Sequence, residues 1–407
     1  MMLLAAAWLL CCARARARNA TSRALAAPPD RRCKDEPRCL NELGDEVFDR
    51  AVDALRRCKK RDDAYLSCDL GDGWYGWTTE FYRFARAKIR PDGGLALLEG
   101  FDIPSCSGRS HRGSPQDRFC EFAREGVNGD EAVFLANPWG GNFQHFMFEL
   151  LPRAWVAAEL LRRARPDAPP PELVLGPHMR QAFHVESVRL ATGLAPKIIG
   201  DMENQPAYGH VWVPPYAAEN FGDWSALGLK ALREIHGDLQ RRFVSGPPTK
   251  RLAYFTRRDA AVGKGRAMLN EPDFVKALEA LGADVLEFSA FGTMEDRVRG
   301  LANYSTIVTP FGAAVANLVF SPASTRWINV CPPTMCSRNE ENFIGLLAGS
   351  LMMREHRGFV RYTDRGAAHA VDDADPELTN GDYRNHAYRV DVDTLVAFVA
   401  RFLDDPK

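Results

Sequence analysis

Ser305-Thr306-Ile307-Val308-Thr309-Pro310-Phe311-Gly312-Ala313-Ala314-Val315-Ala316-Asn317 is the stretch on which the reading of this chain turns. A short β-branched run passes into a turn of small residues, and a helical pattern opens directly behind it. The first N–H groups of such a helix have no intrahelical acceptor and carry the positive end of its dipole. Gly312 leaves room for close backbone approach, so Gly312, Ala313, Ala314 and Asn317 make a candidate seat for a diphosphate. Tight strand-to-helix packing selects the same small residues, and alone this stretch leaves both readings open.

The texture around it repeats. Short apolar runs at 252–256, 284–288, 306–309 and 327–330 alternate with helical patterns at 271–281, 294–301, 313–320 and 339–351. Upstream, runs at 132–135, 173–175, 197–199 and 211–213 alternate with helices at 143–163, 179–192 and 225–243. This is the appearance of parallel sheets with crossover helices, an α/β fold. Ser245-Gly246-Pro247-Pro248 reads as a linker between the two sets. The expected organisation is a leader and linker over 1–30, an N-terminal domain over 31–245 and a C-terminal domain over 250–407. In open sheets of this kind ligands sit outside the carboxyl ends of the strands, so the loops following strands are where chemistry is sought.

The first part of the N-terminal domain differs. Residues 31–125 read as a Cys-bearing cap with an amphipathic helix over 46–59 and an aromatic stretch over 74–84. That stretch is either core or a surface on which sugars stack. At the other end, 370–382 reads as an acidic loop and 392–403 as a last amphipathic helix.

Composition excludes some classes. With 407 residues, 46% hydrophobic and 26% charged, the chain is globular, and a net charge of -1 supplies no general field for nucleic acid or an anionic membrane. The apolar run Met1 to Cys12, followed by Ala13-Arg14-Ala15-Arg16-Ala17, reads as a signal peptide; a short signal-anchor or an organelle transit peptide is the alternative. An anchor there is the one membrane contact expected. Beyond Cys11 and Cys12 lie Cys33, Cys39, Cys58, Cys68, Cys106, Cys120, Cys331 and Cys336, an even set without the close pairs of a zinc site. Disulfides and the sequons at Asn19 and Asn303 point to the secretory pathway, the ER or Golgi lumen.

Two further clusters could carry chemistry. Thr256-Arg257-Arg258 ends a strand, Arg266 follows a Gly/Lys loop, and Asn270-Glu271 opens a helix. Guanidinium groups grip phosphate oxygens in a bidentate fork, so Arg257, Arg258 and Arg266 are a candidate clamp, against the alternative of a solvated basic turn. The other cluster is Asn137-Pro138-Trp139-Gly140-Gly141-Asn142-Phe143-Gln144-His145-Phe146-Met147-Phe148-Glu149. Spacing of four puts His145 and Glu149 on one helix face, where a carboxylate-held imidazole could serve as a general base. Binding and plain packing are the alternatives for His145. Trp139 and Asn142 sit at the same loop.

In order and spacing these stretches resemble glycosyltransferase family 61. The resemblance rests on Asn142-Phe143-Gln144-His145-Phe146, Tyr254-Phe255-Thr256-Arg257-Arg258, Arg266-Ala267-Met268-Leu269-Asn270-Glu271 and Gly312-Ala313-Ala314-Val315-Ala316-Asn317. It departs at Phe311, where family members often carry His, and at Asn329, where Glu is common. The resemblance implies a GT-B-like pair of Rossmann-type domains facing a cleft, and an inverting transfer of a sugar from UDP to a glycan or glycoprotein hydroxyl. Xylose and N-acetylglucosamine are the leading sugars. His145 and Glu149 would be catalytic, Asn142 and Trp139 would line the acceptor side, and Arg257, Arg258, Arg266, Asn270, Glu271, Gly312, Ala313, Ala314 and Asn317 would hold the donor. No metal or other cofactor is implied. Asp391-Val392-Asp393 fits an Asp-x-Asp metal pattern, but at a helix start it reads as a cap. A non-catalytic carbohydrate- or glycoprotein-binding module on the same scaffold is the alternative function. A dehydrogenase is disfavoured, since no G-x-G-x-x-G follows a strand.

Overall fold

The computed structural model describes residues 37–57, 65–69, 80–89, 95–97, 131–135, 137, 140–199, 207–214, 218–219, 223–256, 268–310, 312–330, 347, 351, 359–362 and 389–404. In chain order the first half begins with α1 (Pro37–Arg57), β1 (Tyr65–Asp69), β2 (Glu80–Ile89), β3 (Leu95–Leu97) and β4 (Glu131–Leu135). A helical stretch follows, made of α2 (Phe143–His145), a π-helical turn (Phe146–Leu150) and α3 (Leu151–Ala164). Next come β5 (Glu172–Leu175), α4 (Ala182–Thr192), β6 (Lys197–Ile198), β7 (Ala207–Val213), the antiparallel pair β8 (Ala218–Glu219) and β9 (Asp223–Trp224), and α5 (Ala226–Phe243). The second half runs β10 (Lys250–Phe255), α6 (Glu271–Ala280), β11 (Asp284–Leu286), α7 (Met294–Leu301), β12 (Tyr304–Pro310), a 3-10 helix (Ala313–Phe320), β13 (Arg326–Val330), β14 (Phe359–Tyr362) and α8 (Val392–Asp404).

The α/β reading holds, and each strand expected from residue 131 onward overlaps an observed one. The first sheet has the order β1-β2-β7-β4-β5-β6, with β3 beside β2. Its β7-β4-β5-β6 part is parallel, whereas β1, β2 and β3 add an antiparallel edge. The second sheet, β11-β10-β12-β13-β14, is parallel throughout. Each sheet therefore reverses its strand order at one place, between β4 and β7 in the first and between β10 and β12 in the second. Those reversals open a crevice at the strand carboxyl ends.

Successive residues of a strand face opposite sides of a sheet, and the second sheet uses both. Leu252, Tyr254, Val308 and Ile328 pack under α6 and α8, against Phe274, Leu395 and Val399. Ala253, Phe255, Ile307 and Trp327 face the other way and join a cluster that includes Val133, Leu135, Leu151, Leu160, Ile235, Leu239, Val315 and Leu318. That cluster runs from one half into the other, with α5 between them. Ser225 caps α5 by accepting from the Gly228 N–H at 2.9 Å, a contribution of about 1 kcal/mol. Burial decides more: Leu227, Leu229, Leu232, Ile235 and Leu239 are all buried, each worth roughly 1.5–3 kcal/mol. His236 Nδ1 donates to the Val319 carbonyl at 3.2 Å and Gln240 Nε2 to that of Phe320 at 3.1 Å, tying α5 to the 3-10 helix.

Two helices differ in winding from expectation. The helix expected over 143–163 carries a π turn, in which the Leu151 N–H reaches back to the Phe146 carbonyl. Pro152 explains it, because proline brings no N–H and its ring crowds the carbonyl four residues earlier, so the turn before it widens. The helix expected over 313–320 is wound as 3-10. α1 also starts earlier than the expected 46–59, and β2 takes up residues 80–84 of the aromatic stretch. The leader, the loop at 370–382, Trp74, Tyr75 and Trp77, and Cys33, Cys58, Cys106, Cys120, Cys331 and Cys336 lie outside the described residues, as does most of the helix expected over 339–351. No described helix is long and apolar enough to cross a membrane.

Candidate active site

β4 delivers the chain to the first reversal point, and the backbone turns at once: the Gly140 N–H donates to the Asn137 carbonyl at 3.0 Å. Both glycines of this turn are forced by packing. A Cβ on Gly140 would lie 2.8 Å from Leu150 Cδ1 and 3.1 Å from the Asn137 oxygen, and one on Gly141 would lie 3.0 Å from the His178 oxygen. His184 Nε2 donates to the Gly140 carbonyl at 3.0 Å while its Nδ1 accepts from the Gln181 N–H at 3.1 Å. Burial pushes the His184 pKa down to about 4, which keeps the ring neutral and that arrangement intact.

The loop ends on Asn142, an N-cap. Its Oδ1 accepts from the N–H groups of Gln144 at 2.9 Å and His145 at 3.4 Å. One turn on, His145 Nδ1 meets Glu149 Oε1 at 2.7 Å, and the other carboxylate oxygen, Oε2, accepts from Asn137 Nδ2 at 2.6 Å. Glu149 is held at both oxygens, with 7% of its side chain exposed against 14% for His145. A carboxylate beside Nδ1 favours the tautomer with its proton there, which makes Nε2 the basic nitrogen.

At the second reversal point β10 and β12 end side by side. Gly312 has φ 148°, a region that only glycine enters without strain, and its neighbours Ala313 and Ala314 open the 3-10 helix. Asn317 is fully buried; its Nδ2 donates to the Ala314 carbonyl at 2.8 Å and its Oδ1 accepts from Arg297 at 3.4 Å. Asn270 and Glu271 are also engaged with the scaffold. The Asn270 amide pairs with both the N–H and the carbonyl of Val390, and Glu271 Oε1 accepts from Tyr254 and Thr256. Beneath the turn, Asn329 is 3% exposed, in register with Thr309, and its Oδ1 is buried without a hydrogen-bond partner. Asp391 accepts from the N–H and hydroxyl of Thr394 at the start of α8, the capping role expected of it.

α2 packs directly against the 3-10 helix. The tertiary structure thus brings the helical stretch that carries Asn142, His145 and Glu149 in the first half against the 3-10 helix that opens behind Gly312 in the second. Asn270 and Glu271 stand back from that junction, in the support of β10 and α6. Trp139, Arg257, Arg258, Arg266 and Phe311 lie outside the described residues. Sequence reasoning missed three participants. Asn137 stood in the right stretch, but no spacing rule links it to Glu149; His184 and Arg297 come from distant helices and carry no local signal.

The family model described as Glycosyltransferase 61 matches residues 143–328, from the first residue of α2 into β13, and so includes His145, Glu149 and the Gly312 turn. A comparison with curated proteins found no match. Over residues 143–328 the chain is thus similar to glycosyltransferase family 61, the family its motifs resemble.

Proposed function

We propose that this glycosyltransferase is inverting and moves a sugar, xylose or N-acetylglucosamine, from a UDP-sugar to a hydroxyl of a glycan or glycoprotein. The observation that carries the proposal is the Asn137–Glu149–His145 chain on a helical stretch packed against the 3-10 helix that opens behind Gly312. On this reading the acceptor hydroxyl gives its proton to His145 Nε2 as its oxygen attacks C1 of the sugar. The bond from C1 to the phosphate oxygen breaks with its electron pair, and UDP leaves from the opposite face. One displacement inverts the anomeric carbon.

Charge on the departing diphosphate would be met by the backbone N–H groups opening the 3-10 helix and by Arg257, Arg258 and Arg266, with no metal required. The buried Asn329 oxygen offers a further acceptor to an N–H or hydroxyl of the nucleotide. The halves would serve as the acceptor side and the donor side of a GT-B-like cleft. On the same reading the reaction takes place in the ER or Golgi lumen, a compartment that the eight cysteines after Cys12 support.

Transfer or hydrolysis across a panel of UDP-sugars tests this. His145→Ala is expected to lower kcat by about 10²–10⁴-fold while UDP still binds, and a chelator is expected to leave turnover intact. Wild-type turnover by His145→Ala would remove the base, and loss of activity in chelator would remove the metal-free scheme.

A further inference from the structure

α7 presents two arginines with different fates. Arg299 lies along the surface against Glu295, at 2.8 Å and about half exposed. Arg297 points inward at the junction of the halves, where its guanidinium donates to the Phe288 carbonyl at 3.1 Å and to Asn317 Oδ1 at 3.4 Å. The same group lies 5.0 Å from the ring centre of Phe143, 5.5 Å from Phe288 and 6.0 Å from Phe291. Each of these contacts leads to a part of the candidate site. Asn317 belongs to the 3-10 helix behind Gly312. Phe288 stacks on Phe255 at the end of β10, with centroids 4.2 Å apart. Phe143 is the first residue of α2, two before His145.

The surroundings hold the guanidinium in this place. α7 is anchored to the first half by the Met294 N–H, which donates to Glu186 Oε2 at 2.8 Å. Phe291 sits hard against the α7 backbone, where a Cβ on Gly300 would fall 2.3 Å from its Cε1. A planar cation with several fixed donors can stack on rings and hydrogen-bond in its own plane at once, which an ammonium cannot do. We infer that Arg297 is a positioning residue: it pins the helix bearing the proton acceptor to the turn proposed to hold the donor, and so sets the spacing between them. The inference rests on the proposed transfer reaction for its catalytic consequence, but its geometric content can be measured separately.

The test uses the full chain with Arg297→Lys and Arg297→Met, and Phe143→Leu as a variant that removes the contact from the opposite side. Misplacement of reacting groups by about 1 Å can cost about 10²-fold in rate. Both Arg297 variants and Phe143→Leu are therefore expected to lower kcat by roughly 10- to 100-fold, with UDP affinity by calorimetry within about twofold. Amide exchange at 143–146 and 312–317 should quicken in the same variants while α6 and α8 keep their protection. Failure of Lys to rescue marks the planar group, since a role in charge alone would survive that change. Wild-type kcat in Arg297→Lys, or unchanged exchange at 143–146 in the folded variants, overturns the inference. If the wild-type protein transfers no sugar from any donor, the transfer reading fails and the exchange data decide the positioning role by themselves. Should Arg297→Met not fold, Phe143→Leu and Arg297→Lys decide it.

Discussion

Glu149 illustrates how much a single residue can be asked to do. Both of its oxygens accept, one from the His145 ring and one from the Asn137 amide. A glutamine there has one oxygen and one amide, so it must lose one of the two contacts or present a donor to a donor. Glu149→Gln is expected to lower kcat by about 10²-fold or more with KM for the UDP-sugar little changed, as steady-state kinetics would register. Gly140→Ala acts on the same assembly through sterics: the added Cβ meets the Asn137 oxygen at 3.1 Å, the Leu150 Cδ1 at 2.8 Å and Met179 Sδ at 3.2 Å. A loss of roughly 1–3 kcal/mol in urea unfolding is expected. At this scale His145 and Glu149 were legible because helix period alone places them together. Asn137 was not, because its contact crosses a loop whose path depends on two glycines fitting against Leu150 and His178.

Elements were legible in extent more than in winding. The pattern of apolar residues places helices at 294–301 and 313–320, and both are there. It does not say that the second is wound as 3-10 or that the stretch from Phe143 contains a π turn, since both depend on local hydrogen bonding around Gly312 and Pro152. α7 opens on a capping box. Thr293 Oγ1 accepts from the Asp296 N–H at 3.0 Å, and Asp296 Oδ2 accepts from the Thr293 N–H at 3.1 Å. Thr293→Ala removes the cap and is expected to cost about 0.5–2 kcal/mol, read as a lower urea midpoint with UDP affinity preserved. An unchanged midpoint would mean that tertiary contacts such as Met294 with Glu186 hold the helix start unaided.

Across the whole molecule, the α5 interface links the halves and makes stability depend on pH. Burial pushes the His236 pKa down to about 4 from an ordinary 6.5, against the smaller opposing effect of its bond to Val319. The unfolded chain takes up a proton below pH 6.5 that the folded chain refuses until about pH 4, so stability is full above 6.5 and falls across that window. The loss attributable to His236 is on the order of 3 kcal/mol, and His184 adds to it with the same sign. Glu131 acts lower down. Burial alone would raise its pKa, but hydrogen bonds from His210 and Arg165 overcome that and hold it at about 2, so its contribution is lost from pH 4.5 towards 2. Urea unfolding from pH 7 to 4 should therefore show a steep decline in the wild type and a shallower one in His236→Gln, which keeps a donor for the Val319 carbonyl. Equal slopes would exclude His236 as a main source. By itself the sequence determined the α/β class, the order of the strands along the chain and the motifs at each strand end, because period, turn residues and helix starts are local. Which strands lie side by side, and that the helix start bearing His145 packs against the 3-10 helix behind Gly312 with Arg297 between the halves, only the tertiary structure decided. Those contacts join residues from about twenty to more than a hundred positions apart, and they arise from packing that no local pattern encodes.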